Sequence, residues 1–234
     1  KIFSDSLHYI VSNMANEKHT QKNGIIVTTD KNGKLNDLIK IGNKNNYILS
    51  GIKTKNNEFL FIGYNKENND EWEQIYVVKA DKNLDIIWEN SYSTLNNDSR
   101  GYSIIELNEK EYWILGHTKT SKNGILILKI DQDGNEKWFS YLPDIKCNFA
   151  NNMITFNERE FIVSGQNSNQ LFISKINTRG KVLWQYNYFN DTKYHRVYDL
   201  KKTNDGGIIA VGNSTKSKDY SFDILLIKLS KDPK

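Results

Sequence analysis

The chain has 234 residues, of which 38% are hydrophobic and 26% charged, and no stretch approaches the roughly 18 consecutive apolar residues of a membrane-spanning helix. Its 32 basic and 28 acidic residues give a net charge of +4 and are scattered along the whole length, which argues against the concentrated basic face of a nucleic-acid binder. The single cysteine, Cys147, excludes an intrachain disulfide and a cysteine-rich zinc site. We therefore expect one globular domain, spanning 1–234, that neither crosses a membrane nor binds nucleic acid.

A short apolar strand that ends in a small residue recurs five times along the chain. The copies, in chain order, are YIVSN at 9–13, FLFIG at 59–63, YWILG at 112–116, FIVSG at 161–165 and IIAVG at 208–212. Their spacing of 47 to 53 residues defines five repeats, which we place at approximately 1–42, 43–93, 94–142, 143–189 and 190–234. The glycines that end the last four copies are interpreted as structural: Gly63, Gly116, Gly165 and Gly212.

Each of the first four repeats continues into two strands joined by a polar turn. The turns are DKNGK at 30–34, DKNLD at 81–85, DQDGN at 131–135 and NTRGK at 177–181, and the last three lead to Trp88, Trp138 and Trp184. Asp or Asn followed by Gly between apolar runs is typical of a hairpin, because these residues adopt positive φ easily. The stretch DQDGNE also resembles part of a calcium loop, but it lacks the later bidentate acid, so a hairpin turn is favoured.

Another short apolar run precedes each of the later copies, which brings each unit to four strands. Four-stranded units repeated about every 40 to 50 residues without helical periodicity predict an all-β fold, a single β-propeller of five four-stranded blades. The three tryptophans fall early in the outermost strands, where a large flat ring can fill the wedge between neighbouring sheets. We therefore interpret Trp88, Trp138 and Trp184 as structural.

The segments NDGGIIAVGNS, DILLIKLS and DQDGNEKW together resemble bacterial β-propeller repeats that carry an Asp-Gly-Gly turn, a strand ending in Gly, a lysine-containing strand and a Gly-to-Trp hairpin. They are more loosely similar to the tryptophan-docking repeats of quinoprotein dehydrogenases and of the periplasmic propeller lipoprotein of outer-membrane protein assembly. The resemblance covers the whole chain and implies an exported, often lipid-anchored bacterial protein with a binding role. The first repeat departs from it, with Asp37 and Leu38 in place of the Trp and Thr28 and Thr29 in place of the Lys.

The resemblance also implies an extracytoplasmic location, at the cell surface or in the periplasm. The opening residues KIFSDSLHYI lack the basic region, apolar core and cleavage site of a signal peptide. This leaves two alternatives: a cytoplasmic protein, or one whose signal has been removed, with a lipid anchor possible upstream of Lys1.

Closure of the ring leaves three alternatives open, because the fifth repeat stops at LLIKLSKDPK, where a turn and a fourth strand should follow. The N-terminal KIFSDSL could pair into the last blade, a C-terminal strand could be missing, or five repeats could form an arc of a larger ring. We favour a closed five-bladed ring.

Most of the unusual residues fall in loops that a propeller would bring to one rim. Arg100 and Arg196, two of only four arginines, precede predicted first strands, where each could bind a carboxylate, phosphate or sugar oxygen bidentately. A structural salt bridge to an acid such as Asp98 is the favoured alternative for them. Trp72, in a polar and acidic loop, and Tyr220 are candidate contacts for a partner or a sugar.

His117, His195 and Cys147 complete the unusual residues of the rim. The two histidines are candidate contacts, but no acidic spacing motif supports a metal pair. Cys147 lacks a nucleophile signature and is expected to be a buried, inert thiol. We therefore predict no catalytic residue, no metal and no cofactor.

The leading functional hypothesis is a non-catalytic binding or scaffold protein whose rim loops engage a protein partner, because divergent loops are carried on a regular frame. The alternative is a lectin-like propeller that binds carbohydrate in equivalent pockets, although the loops differ in length and composition. A propeller enzyme of quinoprotein or hydrolase type is the third reading, and it would need a cofactor clamp or paired carboxylates.

Overall fold

The computed structural model describes 2–4, 7–15, 22–42, 45–66, 72–93, 97–108, 110–119, 124–142, 145, 149–167, 170–189, 194–215 and 222–231. Across these residues the secondary structure consists of β-strands and turns, with no helix. Accordingly, the described part of the chain contains no helix long and apolar enough to cross a membrane.

The strands form five sheets that follow one another along the chain. The first two sheets comprise β1 (Ile2–Ser4), β2 (Leu7–Ala15), β3 (Lys22–Asp30) and β4 (Leu35–Ile41), then β5 (Asn46–Lys53), β6 (Phe59–Asn65), β7 (Gln74–Ala80) and β8 (Ile86–Tyr92). The third and fourth comprise β9 (Ser99–Asn108), β10 (Glu111–Thr118), β11 (Gly124–Asp131) and β12 (Glu136–Tyr141), then β13 (Phe149–Asn157), β14 (Glu160–Asn167), β15 (Gln170–Asn177) and β16 (Val182–Tyr188). The fifth comprises β17 (Tyr194–Lys202), β18 (Ile208–Thr215) and β19 (Phe222–Leu229).

These antiparallel sheets are the blades of a five-bladed β-propeller, which confirms the predicted fold class. In each sheet, strands adjacent in sequence are hydrogen-bonded neighbours, as in an up-and-down meander. The first four sheets have four strands, whereas the fifth has three among the described residues. The alternative in which the N-terminus pairs into the last blade is wrong, because β1 pairs with β2 of the first sheet, placing Phe3 opposite Tyr9.

The chain divides into two compact units, and each has its own core. Unit 1 comprises 1–119 and 128–138, and a hydrophobic cluster joins its first two sheets through residues that include Ile26, Ile48, Phe61 and Val78. Unit 2 comprises 120–127 and 139–234, and a second cluster joins the fourth and fifth sheets through residues that include Ile173, Val197, Leu200 and Ala210. Organisation as a single domain stays a prediction.

In each of the last four repeats, the glycine at the predicted end of the second strand lies opposite the first strand, and the second strand continues past it. At Gly63 an added Cβ would collide with the carbonyl oxygen of Tyr47, and at Gly212 with that of Arg196. The register shifts beside both contacts, between Ile48 and Ser50 in the second sheet, as expected for a bulge that brings two backbones together. Because β6 continues past Gly63 to Asn65, residues that the sequence analysis assigned to a loop lie within this strand.

The first repeat is aligned one position differently from the sequence prediction. The third strands of the first two sheets have equivalent register shifts, after Thr28 and after Lys79. Thr28 is therefore equivalent to Lys79, and three residues earlier Ile25 is equivalent to Tyr76. Because Ser12 lies opposite Ile25 and Gly63 lies opposite Tyr76, Ser12 is the equivalent of Gly63. The alignment on Asn13 is therefore wrong by one residue, because no glycine marks the close approach in this repeat.

The turn at Asp131 is a hairpin, as the sequence analysis favoured. The amide of Gly134 donates to the carbonyl oxygen of Asp131 at 3.1 Å, and carboxylate oxygen Oδ1 of Asp131 accepts from the amides of Asp133 and Asn135 at 3.0 and 2.8 Å. The other carboxylate oxygen lies 2.9 Å from the ammonium group of Lys137. The carboxylate therefore caps its own turn.

Trp88 packs against this turn from the neighbouring sheet. Its indole Nε1 donates to the carbonyl oxygen of Gln132 at 3.0 Å, and Tyr92 donates to the carbonyl oxygen of Gly134 at 2.6 Å. The turn of the third sheet is thereby held against the outermost strand of the second.

Trp138 and Trp184 contact side chains of their own sheets. The ring of Trp138 lies 5.8 Å from that of Trp113, and Trp184 lies 5.3 Å from Tyr186. The same Trp184 side chain is partly buried against the cluster that joins the fourth and fifth sheets.

Replacement of Gly134 tests the contact between the turn and Trp88. Gly33 and Gly134 occupy equivalent turns with φ of +82° and +81°, so alanine costs about 1–2 kcal/mol of backbone strain at each. An added Cβ at Gly134 would lie 2.5 Å from the side-chain amide nitrogen of Asn90 and 3.2 Å from the Trp88 ring, whereas Gly33 has no atom within 4 Å. We expect Gly134→Ala to lower the unfolding free energy by a further ~1–3 kcal/mol relative to Gly33→Ala, measured by urea denaturation. Equal losses would show that the contact contributes no packing constraint.

Candidate functional site

Two of the predicted site residues, Arg100 and His117, lie next to each other in unit 1. They are directly opposite in the register of β9 and β10. Both lie within strands, not in the loops to which the sequence analysis assigned them, because the strands extend beyond the Gly101 and Gly116 pair. The register therefore brings a guanidinium and an imidazole to the same end of the third sheet.

Arg100 forms a bidentate ion pair with Glu73, which precedes β7. Its Nε lies 2.5 Å from one carboxylate oxygen of Glu73, and Nη2 donates to the other at 2.9 Å. The hydrogen bonds that Arg100 donates to Glu73 are the main cause of the raised pKa of Arg100, outweighing its partial burial. The guanidinium is therefore permanently charged and already occupied by a carboxylate.

A ladder of rings and cations continues from Arg100 across the second sheet to the first. The guanidinium carbon of Arg100 lies 4.3 Å from the ring centroid of Tyr64, and Tyr64 stacks on Tyr47 at 4.8 Å with an interplanar angle of 20°. The ammonium of Lys22 on β3 lies 4.8 Å from the ring centroid of Tyr47. We call Lys22, Tyr47, Tyr64, Glu73 and Arg100 the rim cluster.

The members of the rim cluster are partly buried, and their contacts are mutually favourable. Cations over aromatic faces are attracted by the ring quadrupole, and stacked rings add to this. Burial raises the pKa of Tyr64 to about 12, with Arg100 opposing and Glu73 adding to the shift. Tyr64 therefore stays a neutral phenol at physiological pH, so the charges of the cluster come from Lys22, Arg100 and Glu73.

Hydrogen bonds between the backbone near Glu73 and β9 position the ion pair. The amide of Ser99 donates to the carbonyl oxygen of Glu73 at 2.8 Å, and the amide of Glu73 donates to Asp98 Oδ1 at 2.9 Å. The other oxygen of Asp98 accepts from Lys119 at 3.0 Å. Arg100 therefore forms the structural salt bridge that the sequence analysis favoured, but its acid is Glu73 and not Asp98, whose two oxygens accept hydrogen bonds from Glu73 and Lys119.

Trp72 directly precedes Glu73 and is half-buried. Its position next to the carboxylate that binds Arg100 fixes its backbone beside the rim cluster. Its role as a partner contact stays a prediction.

His117 is buried, with only 6% of its surface exposed. Desolvation by burial, with smaller contributions from the charges of Arg100 and Lys119, lowers its pKa to about 4. The imidazole is therefore neutral at physiological pH, and it does not add to the positive charge beside Arg100.

In unit 2, His195 and Arg196 are adjacent on β17, and Arg196 lies opposite Asn213, as Arg100 lies opposite His117. His195 is buried and stacks on Phe189 with 4.0 Å between ring centroids. Arg196 is exposed, and its guanidinium lies 5.8 Å from the ring of Tyr198. Arg196 thus holds the position of Arg100 with Asn213 in place of His117, and it has no carboxylate pair among the interactions of the described residues.

Two further candidates, Tyr220 and Cys147, lie outside the described residues. Within the described part of the chain, no group of three or more His, Cys, Asp or Glu side chains could hold a metal ion.

The sequence analysis missed Tyr47, Tyr64 and Glu73. Tyr64 directly follows Gly63, and Glu73 directly follows Trp72. Both could have been found by also considering the sequence neighbours of the residues that the sequence analysis singled out.

The rim cluster presents aromatic and cationic side chains in a fixed arrangement. An anionic ligand would have to displace Glu73 to bind Arg100 bidentately, and the ring of Tyr64 is already in contact with Tyr47 and Arg100.

Comparison with known proteins supports the fold. No protein-family model matches the chain, and no curated protein matches it. Among solved structures, it is similar to NanB in a structure with Optactamide, at 14% identity and a TM-score of 0.57, over 89% of this chain and 36% of that one. It is also similar to the subtype N10 neuraminidase-like protein of A/little yellow-shouldered bat/Guatemala, at 9% identity and a TM-score of 0.53, over 96% of this chain and 75% of that one.

A further similar structure is PorZ, described as an essential bacterial surface component of the type-IX secretion system of Porphyromonas gingivalis. The identity is 14% and the TM-score 0.52, over 97% of this chain and 34% of PorZ. The chain thus spans about a third of NanB and of PorZ. At these identities the likeness shows the β-propeller fold alone.

The depressed pKa of His117 predicts a loss of stability in acid. The folded pKa is about 4 and the usual value is 6.5, so the unfolded chain binds the proton more readily. The neutral imidazole then contributes about 3 kcal/mol to the unfolding free energy above pH 6.5. This contribution decreases as the pH drops and is absent below pH 4. We expect the melting temperature of the wild type to fall more steeply between pH 6.5 and 4 than that of His117→Gln, which cannot titrate. Parallel curves for the two proteins would contradict the assignment.

Proposed function

We propose that the protein is a non-catalytic binding or scaffold β-propeller that engages a protein partner through the rim cluster and the adjacent loops. The observation that carries the proposal is the ladder from Lys22 through Tyr47 and Tyr64 to Arg100, which lies across three successive sheets of unit 1. Tyrosine, tryptophan and arginine are the residues most enriched at the energetic centres of protein interfaces.

The rigidity of the ladder supports this proposal. Each ring contacts two neighbours, and Arg100 is held by two hydrogen bonds to Glu73. Side chains already ordered in the free protein lose little conformational entropy on binding, so more of the contact energy appears as affinity. The half-buried Trp72 beside Glu73 would add an apolar contact to this surface.

A lectin-like function is the alternative. Carbohydrate recognition by aromatic residues uses a ring face, and the rings of Tyr47 and Tyr64 are already stacked on each other and in contact with Lys22 and Arg100. A sugar would therefore have to displace part of the ladder, which favours the protein partner. An enzyme of quinoprotein or hydrolase type is the remaining alternative, and the test below includes it.

The proposal includes an extracytoplasmic location, at the cell surface or in the periplasm, with a lipid anchor possible upstream of Lys1. This rests on the resemblance to exported bacterial propeller repeats. PorZ offers a parallel, as a bacterial surface component with the same fold. Protease treatment of intact cells would check the location, because a surface protein is cleaved before the cells are lysed.

Quantitative co-purification with matched variants tests the proposal. The rim variant Lys22→Ser/Tyr47→Ser removes one cation and one ring without leaving a buried charge unpaired. The control Lys34→Ser/Leu35→Ser removes one cation and one exposed apolar side chain at the opposite end of the hairpin formed by β3 and β4. We expect a partner protein that co-purifies with wild type and control but not with the rim variant, and a loss of affinity of at least tenfold with purified components, as for an interface hot spot.

Three results would contradict the proposal. Retention of every co-purifying protein by both variants would show that the rim cluster is not a docking surface. Saturable binding to an oligosaccharide panel that depends on Tyr47 would assign a lectin function. Turnover of an ester or alcohol substrate that depends on the rim cluster would assign catalysis.

A further inference from the structure

The third and fifth sheets carry an arginine at the same position of their first strands. The register of β9 with β10 and of β17 with β18 makes Arg196 the equivalent of Arg100. In unit 1 this position binds a carboxylate, because Nε and Nη2 of Arg100 donate to the two carboxylate oxygens of Glu73. The backbone at this position therefore suits a bidentate pair between an arginine and a carboxylate.

The acid of this pair is missing from the corresponding position of the fourth sheet. Lys79 and Lys175 are equivalent, because each is directly followed by the register shift of its third strand. Glu73 precedes Lys79 by six residues, since 79 − 73 = 6, and the residue that precedes Lys175 by six is Asn169. Asn169 lies outside the described residues, but an amide in the sequence supplies no negative charge. The sequence thus provides Arg196 with no counterpart of Glu73.

The acids on the described strands of the fourth and fifth sheets are placed away from Arg196. Asp199, the acid of β17, accepts at Oδ1 from Asn152 and from the next backbone amide, both at 2.9 Å. Glu160, the acid of β14, lies 3.3 Å from the Lys175 ammonium at the other end of its strand. Asp223 on β19 is one position out of register with Arg196, so its side chain points to the opposite side of the sheet. All these strands belong to unit 2.

A second donor and an aromatic ring accompany the guanidinium of Arg196. Asn213 lies directly opposite Arg196, so the two side chains leave the same face with their Cβ atoms about 4.5–5.5 Å apart. Tyr198, two residues further along β17, lies on that face as well, with its ring centroid 5.8 Å from the guanidinium carbon. A cation, an amide and a ring edge are thus available on one face of the fifth sheet.

We propose that Arg196, together with Asn213, binds the carboxylate group of a ligand in the bidentate arrangement that Arg100 adopts with Glu73. Nε and one Nη of Arg196 donate to the two carboxylate oxygens, and the Asn213 amide donates a further hydrogen bond. The planar guanidinium matches a carboxylate better than an ammonium does, and charge-assisted hydrogen bonds are the strong ones. This site is separate from the rim cluster and does not depend on the proposed function.

NMR of the arginine side chains tests the proposal directly, because the chain has only four arginines. The full chain is titrated with N-acetylglutamic acid α-amide, which carries the glutamate side chain, and with the neutral N-acetylglutamine α-amide as control. We expect the Nε–Hε signal of Arg196 to move saturably with the acid, toward the position of Arg100, which is already paired with a carboxylate. Arg159 and Arg179 are exposed residues of hairpin turns in unit 2, and their signals should stay in place.

Matched variants locate the binding. Arg196→Lys keeps the charge but loses the planar fork, and Arg179→Lys makes the same change at another exposed arginine of unit 2. Both native side chains are exposed, so both variants should keep the wild-type melting temperature. Saturation-transfer NMR of the acid should show roughly tenfold weaker binding to Arg196→Lys, as for the loss of one hydrogen bond to a charged group. Arg179→Lys should bind as the wild type does.

Two sources of the carboxylate are distinguished with a peptide. The acidic peptide NDEWEQ, copied from 69–74, is compared with its uncharged form NNQWQQ. Tighter binding of the acidic peptide than of N-acetylglutamic acid α-amide supports an acidic side chain of a protein as the ligand. Equal affinities support a small organic acid. Both results agree with a carboxylate site at Arg196.

Three outcomes would overturn the proposal. The first is an Arg196 signal that does not move saturably, or that moves no further than those of Arg159 and Arg179, which indicates screening of charges alone. The second is unchanged binding of the acid to Arg196→Lys. The third is tighter binding of inorganic phosphate than of the acid in the same titration, which would assign the site to phosphate groups.

Discussion

The constraint on which the structure depends is that the third strand of each sheet is apolar on both faces. The sheet that contains such a strand covers neither of its faces, so other parts of the protein have to pack against both. In unit 1 the strand β7 is buried on both sides, and in unit 2 the strand β15 is buried in the same way. This requirement explains why the same four-stranded pattern is repeated along the chain.

The close approach of the first and second strands has a consequence for function. A glycine at Gly63 lets the bulged strand β5 approach, and β6 then continues to Asn65. The residues directly after the glycine therefore project from a strand and hold fixed positions. Tyr64 owes its stacking on Tyr47 and on Arg100 to this geometry, so the bulge that shapes the core also builds the rim cluster.

Local polar contacts stabilise the turns, whereas contacts between sheets determine which charges meet. Asp131 is saturated by its own turn, which explains why a sequence resembling part of a calcium loop serves as a hairpin. Arg100 pairs with Glu73 because hydrogen bonds to Asp98 and Ser99 hold that segment beside β9. The ion pair and the cation-ring contact leave Arg100 with little freedom, which suits a rigid contact surface better than a flexible one.

The sequence by itself determined the repeat, the strand-turn pattern and the fold class, because period-two alternation and the φ preferences of Gly and Asn are properties of short segments. It also pointed to Arg100 and Trp72 as unusual. It could not identify Glu73, Tyr47 and Tyr64 as their neighbours, nor the pairing of β1 with β2, because these depend on register and on which sheets lie side by side.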